Sequence, residues 1–220
     1  MIKAVLFDLD GTLLDRDQSL KKFAKSQYHR YEQLHRNIAE KHFMNRLIEL
    51  DKKGYVPKQV VYPKLIEEFH VQGVKAEELV NDYFNYFHES CIAFPHVDEV
   101  LKDLKEKGLQ LGIITNGRNP FQLENLKALG IEHYFDVILI SEKEGLKKPD
   151  GRIFHRALNK LHARPEDSVF IGDHPEKDVY AAIRAGMHGI WKRDDYWGNV
   201  QVEHSIEGIE ELPLMMERTF

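Results

Sequence analysis

Cysteine is nearly absent from this chain: Cys91 is the only one in 220 residues. A lone thiol excludes an intrachain disulfide and a cysteine-built metal cluster, and it fits a reducing compartment. Cys91 itself is expected to be a small packing residue. No apolar run is long enough to span a bilayer, and Met1 to Phe7 lead straight into Asp8 without the apolar stretch of a signal peptide. The expectation is a cytoplasmic protein with no membrane partner. A basic excess is missing too, since the formal net charge is −5, which gives no ground for nucleic acid as a partner. There are 12 histidines, but none of them, His29, His35 and His42 included, pair at the i,i+3 or i,i+4 spacing that sets two ligands on one helix face. Zinc is therefore not expected. Low-complexity tracts and internal repeats are also absent.

What is present is an ordinary globular composition, 42% hydrophobic and 30% charged, which argues against disorder. The length suits one domain carrying a smaller insert. Charge is unevenly spread: residues 16 to 64 hold 12 Lys/Arg against 5 Asp/Glu. Solvated helix faces account for most of that surplus, and a positive field toward an anionic substrate is the functional alternative.

Five short aliphatic runs predict buried strands: Ile2 to Leu9, Leu109 to Thr115, Asp136 to Ser141, Ser168 to Asp173 and His188 to Lys192. Helical patterns alternate with the later ones, at Val100, Leu101 and Leu104, at Phe121 to Leu129 and at Ile153 to Leu161. Strand alternating with helix predicts an α/β fold, a Rossmann-like parallel sheet covered by helices on both faces. Between Arg16 and about Ala93 the rhythm changes. Phe43, Met44, Leu47 and Ile48 share one helix face, as do Val61, Leu65 and Phe69, and then Leu79, Val80, Tyr83, Phe84 and Phe87. Residues 16–93 therefore read as an inserted all-helical domain, and 1–15 with 94–220 as the α/β core. Gly54 with Pro57, and Gly73 before Ala76, mark turns between its helices. The two linkers, near Asp15 to Gln18 and Phe94-Pro95, are placed to act as a hinge.

In open parallel sheets, ligands bind beyond the carboxyl ends of the strands. Four strands lead into polar candidates there: Asp8-Leu9-Asp10-Gly11-Thr12, Thr115-Asn116-Gly117, Lys147-Lys148-Pro149, and Gly172-Asp173 with Asp178 following. Converging carboxylates repel one another unless a cation sits among them, and hard oxygen donors of this kind suit Mg²⁺. A carboxylate can also attack a phosphoryl group and split one hard displacement into two easier ones. A second carboxyl group must then protonate the leaving oxygen and later deprotonate water, and Asp10 is placed for that. Lys148, Thr115 and loop amides can meet the charge on the transferring group. Each signal is weak alone; their order along the chain, each past an apolar strand, is what carries weight.

With these residues in place, the sequence resembles the haloacid dehalogenase superfamily of hydrolases, in its subfamily with a helical cap. Asp8-Leu9-Asp10-Gly11-Thr12-Leu13 resembles the first motif, Thr115-Asn116-Gly117 the second, Lys148-Pro149 with Ile153-Phe154 the third, and Gly172-Asp173 with Asp178 the fourth. The resemblance implies Asp8 as nucleophile and metal ligand, and Asp10 as general acid/base with its backbone carbonyl on the metal. It implies Thr115 and Lys148 as holders of the phosphoryl group, with Asn116 and Gly117 as loop donors. Asp173 would complete a Mg²⁺ site, and Asp178 would ligate directly or through water and orient Lys148. His174, where a small polar residue is common, is expected in a solvated or supporting position.

The expected activity is Mg²⁺-dependent hydrolysis of a small-molecule phosphate ester by a monomer or homodimer. Asp10 argues against dehalogenation, which has no leaving oxygen to protonate, and the exposed pattern of the insert's lysines argues against a Schiff-base phosphonate hydrolase. A sugar-phosphate mutase of the same fold is the alternative enzyme, and a non-catalytic regulatory protein the alternative class. The latter should have lost a chemical residue, and none is missing.

Overall fold

The computed structural model describes residues 1–220. The chain divides into two compact units, one formed by Met1–Asp15 with Ala93–Phe220 and the other by Arg16–Ile92.

The first unit is built on one six-stranded, all-parallel sheet in the order β3-β2-β1-β4-β5-β6. The strands are β1 (Ala4–Phe7), β2 (Gln110–Thr115), β3 (Val137–Ile140), β4 (Ser168–Gly172), β5 (His188–Lys192) and β6 (Ser205–Ile206). The first four lie within the runs predicted from the sequence, trimmed at their ends, and β5 coincides with its predicted run. The sixth was not predicted: two residues with no apolar run give no periodicity to read.

Side chains alternate across the pleat. Leu6, Ile114, Leu139 and Phe170 meet Ile153, Phe154, Ala157, Leu158 and Leu161 of the helix Gly151–Leu161 on one face. Val5, Phe7, Leu111, Ile113, Val169 and Ile171 point to the other face and are equally buried. Burial on both sides is why these strands read as unbroken hydrophobic runs. Each such Leu, Ile or Phe contributes about 1.5–3 kcal/mol of transfer free energy.

β1 lies between β2 and β4, so the chain winds outward in opposite directions from it. The carboxyl end of β1 is therefore a topological switch point, where the crossovers diverge and leave a crevice. Immediately beyond it, Gly11 N–H donates to Leu14 C=O, and Leu14 bridges Ala93 in antiparallel fashion while Phe94 N–H donates to Leu13 C=O. These contacts hold the two ends of the intervening segment side by side.

The second unit is helical, with Arg16–Arg30, Glu40–Asp51, Lys58–Glu68 and Ala76–Tyr86 as its longer helices. Gly54 and Gly73 stand between helices with positive φ, as expected of turns. Phe23, Phe43, Leu47, Val61, Leu65, Leu79 and Phe87 form its interior, whereas Met44, Ile48, Phe69 and Phe84 are half-buried. Polar groups are buried there as well. Tyr62 donates to Gln27 Oε1 at 2.8 Å, and Gln27 Nε2 donates to Asp82 and to the Leu79 carbonyl. No helix of the protein is long and apolar enough to cross a membrane.

Candidate active site

Asp8 follows the last residue of β1, and its N–H continues the ladder by donating to the Ile171 carbonyl at 2.9 Å. Asp173 occupies the same place after β4, where its carbonyl accepts from Trp191 Nε1 at 2.8 Å. Asp178 comes from the helical turn Pro175–Tyr180, and its Oδ2 accepts the His174 N–H at 3.0 Å. One carboxylate oxygen from each of Asp8, Asp173 and Asp178 lies within 4.8 Å of the others, and all three side chains are buried.

Two glycines make this convergence possible. Gly11 has φ +78°, and a Cβ there would stand 2.6 Å from an oxygen of Asp173; a Cβ on Gly172 would stand 2.4 Å from Cβ of Asp178. Only a residue without a side chain admits those carboxylates.

Lys148 enters the same cluster. Its ammonium lies 2.7 Å from Asp8 Oδ1 and 2.7 Å from Asp178 Oδ1, with only 2% of the side chain exposed. The one ammonium is therefore ion-paired to two carboxylates at once. Burial works against the Lys148 charge, but the carboxylates of Asp178 and Asp8 outweigh it and raise the pKa. Burial pushes Asp8 up to about 7; the Lys148 ammonium pulls the other way, and the charges of Asp178 and Asp10 add to the rise. Asp173 is raised well above the usual carboxylate range by burial and then by Asp178 and Asp8. With all three carboxylates ionised, the one ammonium would leave two negative charges uncompensated. That surplus, presented by hard oxygen donors alone, fits a divalent cation such as Mg²⁺.

Asp10 is half-buried and stands apart from the three-carboxylate set. Its Oδ2 accepts from Gln122 Nε2 at 2.7 Å, and the same nitrogen lies 2.7 Å from Thr115 Oγ1 at the end of β2. Asn116 does not point its amide into open space. Its Oδ1 accepts the Lys148 N–H and its Nδ2 donates to the Lys148 carbonyl, both at 2.9 Å. Gly117 N–H is bound by Ser141 Oγ at 2.9 Å. His174 turns its Nδ1 toward the N–H groups of Glu176 and Lys177 and stacks on Trp197 with ring centroids 4.2 Å apart.

The structure thus gathers Asp8, Asp173, Asp178 and Lys148 in one cluster and joins Asp10 to Thr115 through Gln122. Sequence reasoning missed Gln122. A signal existed: Gln122 and Asn125 sit three apart on the buried face of the helix Phe121–Ala128, where apolar residues are the rule.

The description that matches the chain is haloacid dehalogenase-like hydrolase, over residues 5–192. The chain belongs to that family. It is a phosphatase-like member. Glyceraldehyde 3-phosphate phosphatase of Methanothermobacter thermautotrophicus is 32% identical over 210 residues, which cover 86% of this chain and 85% of that one. The enzyme of the same name from Pyrococcus furiosus is 29% identical, covering 98% of this chain and 92% of its own. Among solved structures, a HAD phosphatase from Thermococcus onnurineus superposes with a TM-score of 0.68 at 26% identity, covering 98% of both chains.

Proposed function

We propose that the protein hydrolyses small-molecule phosphate monoesters through a phosphoenzyme on Asp8, with Mg²⁺ as cofactor. The observation that carries this reading is the buried cluster of Asp8, Asp173, Asp178 and Lys148, with a further carboxyl group, Asp10, two residues beyond the nucleophile.

Asp8 and Asp173 would hold the cation, with the Asp10 carbonyl, and Asp178 directly or through water. Bound there, it would neutralise the surplus negative charge and draw electron density from the phosphoryl oxygens. The remaining steps belong to the chain's own groups. An Asp8 carboxylate oxygen attacks phosphorus as the ester P–O bond breaks. The departing alkoxide takes the proton of the Asp10 carboxyl group and leaves as an alcohol. Asp10, now a carboxylate, takes a proton from water, whose oxygen attacks phosphorus and releases phosphate and the free Asp8 carboxylate. Lys148 and the Thr115 hydroxyl meet the developing charge on the phosphoryl oxygens. Asn116 serves by fixing the Lys148 backbone, and its own N–H remains the group to offer phosphate.

The helical unit, inserted between the first and second motifs, is assigned the selection of substrate. Glyceraldehyde 3-phosphate, named in the relatives' activity, is the first ester to try. The purified protein should release phosphate from one or more of a panel of such esters in the presence of Mg²⁺, and Asp8→Asn should abolish release. Phosphate release that survives Asp8→Asn overturns the proposal; transfer between sugar hydroxyls in place of release favours a mutase.

A further inference from the structure

Gln122 is 2% exposed, on the helix that follows the second motif. A primary amide carries two N–H donors and one carbonyl acceptor, and a buried one must place all three. Asn125 Nδ2 donates to Gln122 Oε1 at 3.2 Å, which sets the direction of the amide. Both N–H groups therefore face the site, where Nε2 lies 2.7 Å from Asp10 Oδ2, 2.7 Å from Thr115 Oγ1 and, more remotely, 3.5 Å from the Asn116 carbonyl. A Cβ on Gly117 would come within 2.7 Å of Gln122 Cγ, so the loop is bare where this side chain passes.

We propose that Gln122 is a positioning residue that fixes which oxygen of Asp10 carries its proton and where Thr115 directs its hydroxyl. The proposal rests on the phosphatase reading. Asp10 Oδ2 already accepts a hydrogen bond from an amide that can only donate there. The proton of the acid form consequently resides on Oδ1, and Oδ1 is the oxygen that passes it to the departing alkoxide and later takes one from water. Thr115 Oγ1 likewise accepts from Gln122, so its single O–H proton is directed elsewhere, toward an acceptor such as a phosphoryl oxygen. One buried amide thereby orients the proton donor for the leaving group and a hydrogen-bond donor for the transferring group.

Two variants separate this role from mere packing. Gln122→Met keeps length and burial but removes the donors, and Gln122→Glu keeps shape but sets an acceptor against Asp10. The readout is kcat/KM, which extends only to departure of the alcohol, compared between an alkyl phosphate and p-nitrophenyl phosphate, whose leaving group departs without protonation. The loss on the alkyl ester should be about 10- to 100-fold and exceed that on the aryl ester by about tenfold. Gln122→Met added to Asp10→Asn should bring no further leaving-group dependence. Equal losses on both esters, or none, overturn the proposal. A second readout needs no turnover. The two side-chain N–H resonances of Gln122 should exchange slowly with solvent, one moving on Asp10→Asn and the other on Thr115→Val; resonances indifferent to both changes overturn the link. A wild type silent on every ester overturns the phosphatase reading instead, and the resonances still report separately on the link.

Discussion

Asn116 and Lys148 are joined by a pair of 2.9 Å hydrogen bonds in which the Asn116 side chain both accepts from and donates to the Lys148 backbone. A loop after β2 thus holds the residue whose ammonium reaches Asp8 and Asp178. Asn116→Ala should lower kcat about 10- to 100-fold, because a displacement near 1 Å at a charged group is costly in the transition state. Losing two partly buried hydrogen bonds should also cost about 1–3 kcal/mol of stability. Steady-state kinetics and chemical denaturation check the two effects.

Gly172 should tolerate no side chain. An added Cβ would meet Asp178 at 2.4 Å, and neither the β4 backbone nor a carboxylate held by the His174 N–H can give way cheaply. Gly172→Ala should destabilise the protein by about 1–3 kcal/mol through overpacking. Displacing Asp178 should also weaken Mg²⁺ binding about 10- to 100-fold. Calorimetric titration with Mg²⁺ checks the second effect, and unchanged affinity would remove Asp178 from the cation's surroundings.

These contacts mark the limit of what the sequence discloses. Asp8, Thr115 and Asp173 were legible because each ends or directly follows a strand whose unbroken apolar run is itself legible, and parallel topology sends all such strand ends to one side. Lys148 and Asp178 needed the motif spacing as well, since neither adjoins a strand end. Gln122 was missed because its partners lie 112 residues upstream at Asp10 and seven residues upstream at Thr115, so the two amides on the buried face of its helix gave a local signal that named no partner. β6 was hidden for a different reason: two residues gain their strand character from β5 alone. The buried polar groups of the helical unit, Gln27, Asp51 and Asp82, were obscured by a helical periodicity that reports only apolar residues.

Burial of Asp8 sets a pH dependence. Its folded-state pKa of about 7 lies above the ordinary 3.8, so the folded, metal-free protein binds a proton that the unfolded chain has released. Stability from this group is therefore greatest below pH 4 and falls as pH rises toward 7. A cation requires the carboxylate and competes with that proton. Addition of Mg²⁺ should raise Tm more at pH 8 than at pH 6, and chelation should reverse the gain. Scanning calorimetry at both pH values checks this; an equal or larger shift at pH 6 would contradict the assignment of Asp8 as a ligand.

In the helical unit, Asp51 is fully buried, and it is met by Arg16 in two hydrogen bonds of 2.7 and 3.1 Å, by Lys58, and by the Gly54 N–H at 2.7 Å. Burial alone would raise the Asp51 pKa, but the charges of Arg16 and Lys58 prevail and hold it below the usual value. The sign is opposite to that of Asp8. Stability from Asp51 is present above its unfolded pKa, near 3.8, and is lost as pH falls through the lower folded value. Removing the carboxylate leaves two cations facing each other in a nearly dry interior. Asp51→Ala should therefore cost about 3–5 kcal/mol, the penalty of breaking a buried pair on one side only. Since none of these residues belongs to the Asp8 cluster, a milder variant, Arg16→Lys, should lower stability while leaving Mg²⁺ affinity unchanged. Denaturation combined with Mg²⁺ titration checks the separation, and a parallel fall in both would show that the Asp51 network and the Asp8 site are energetically coupled.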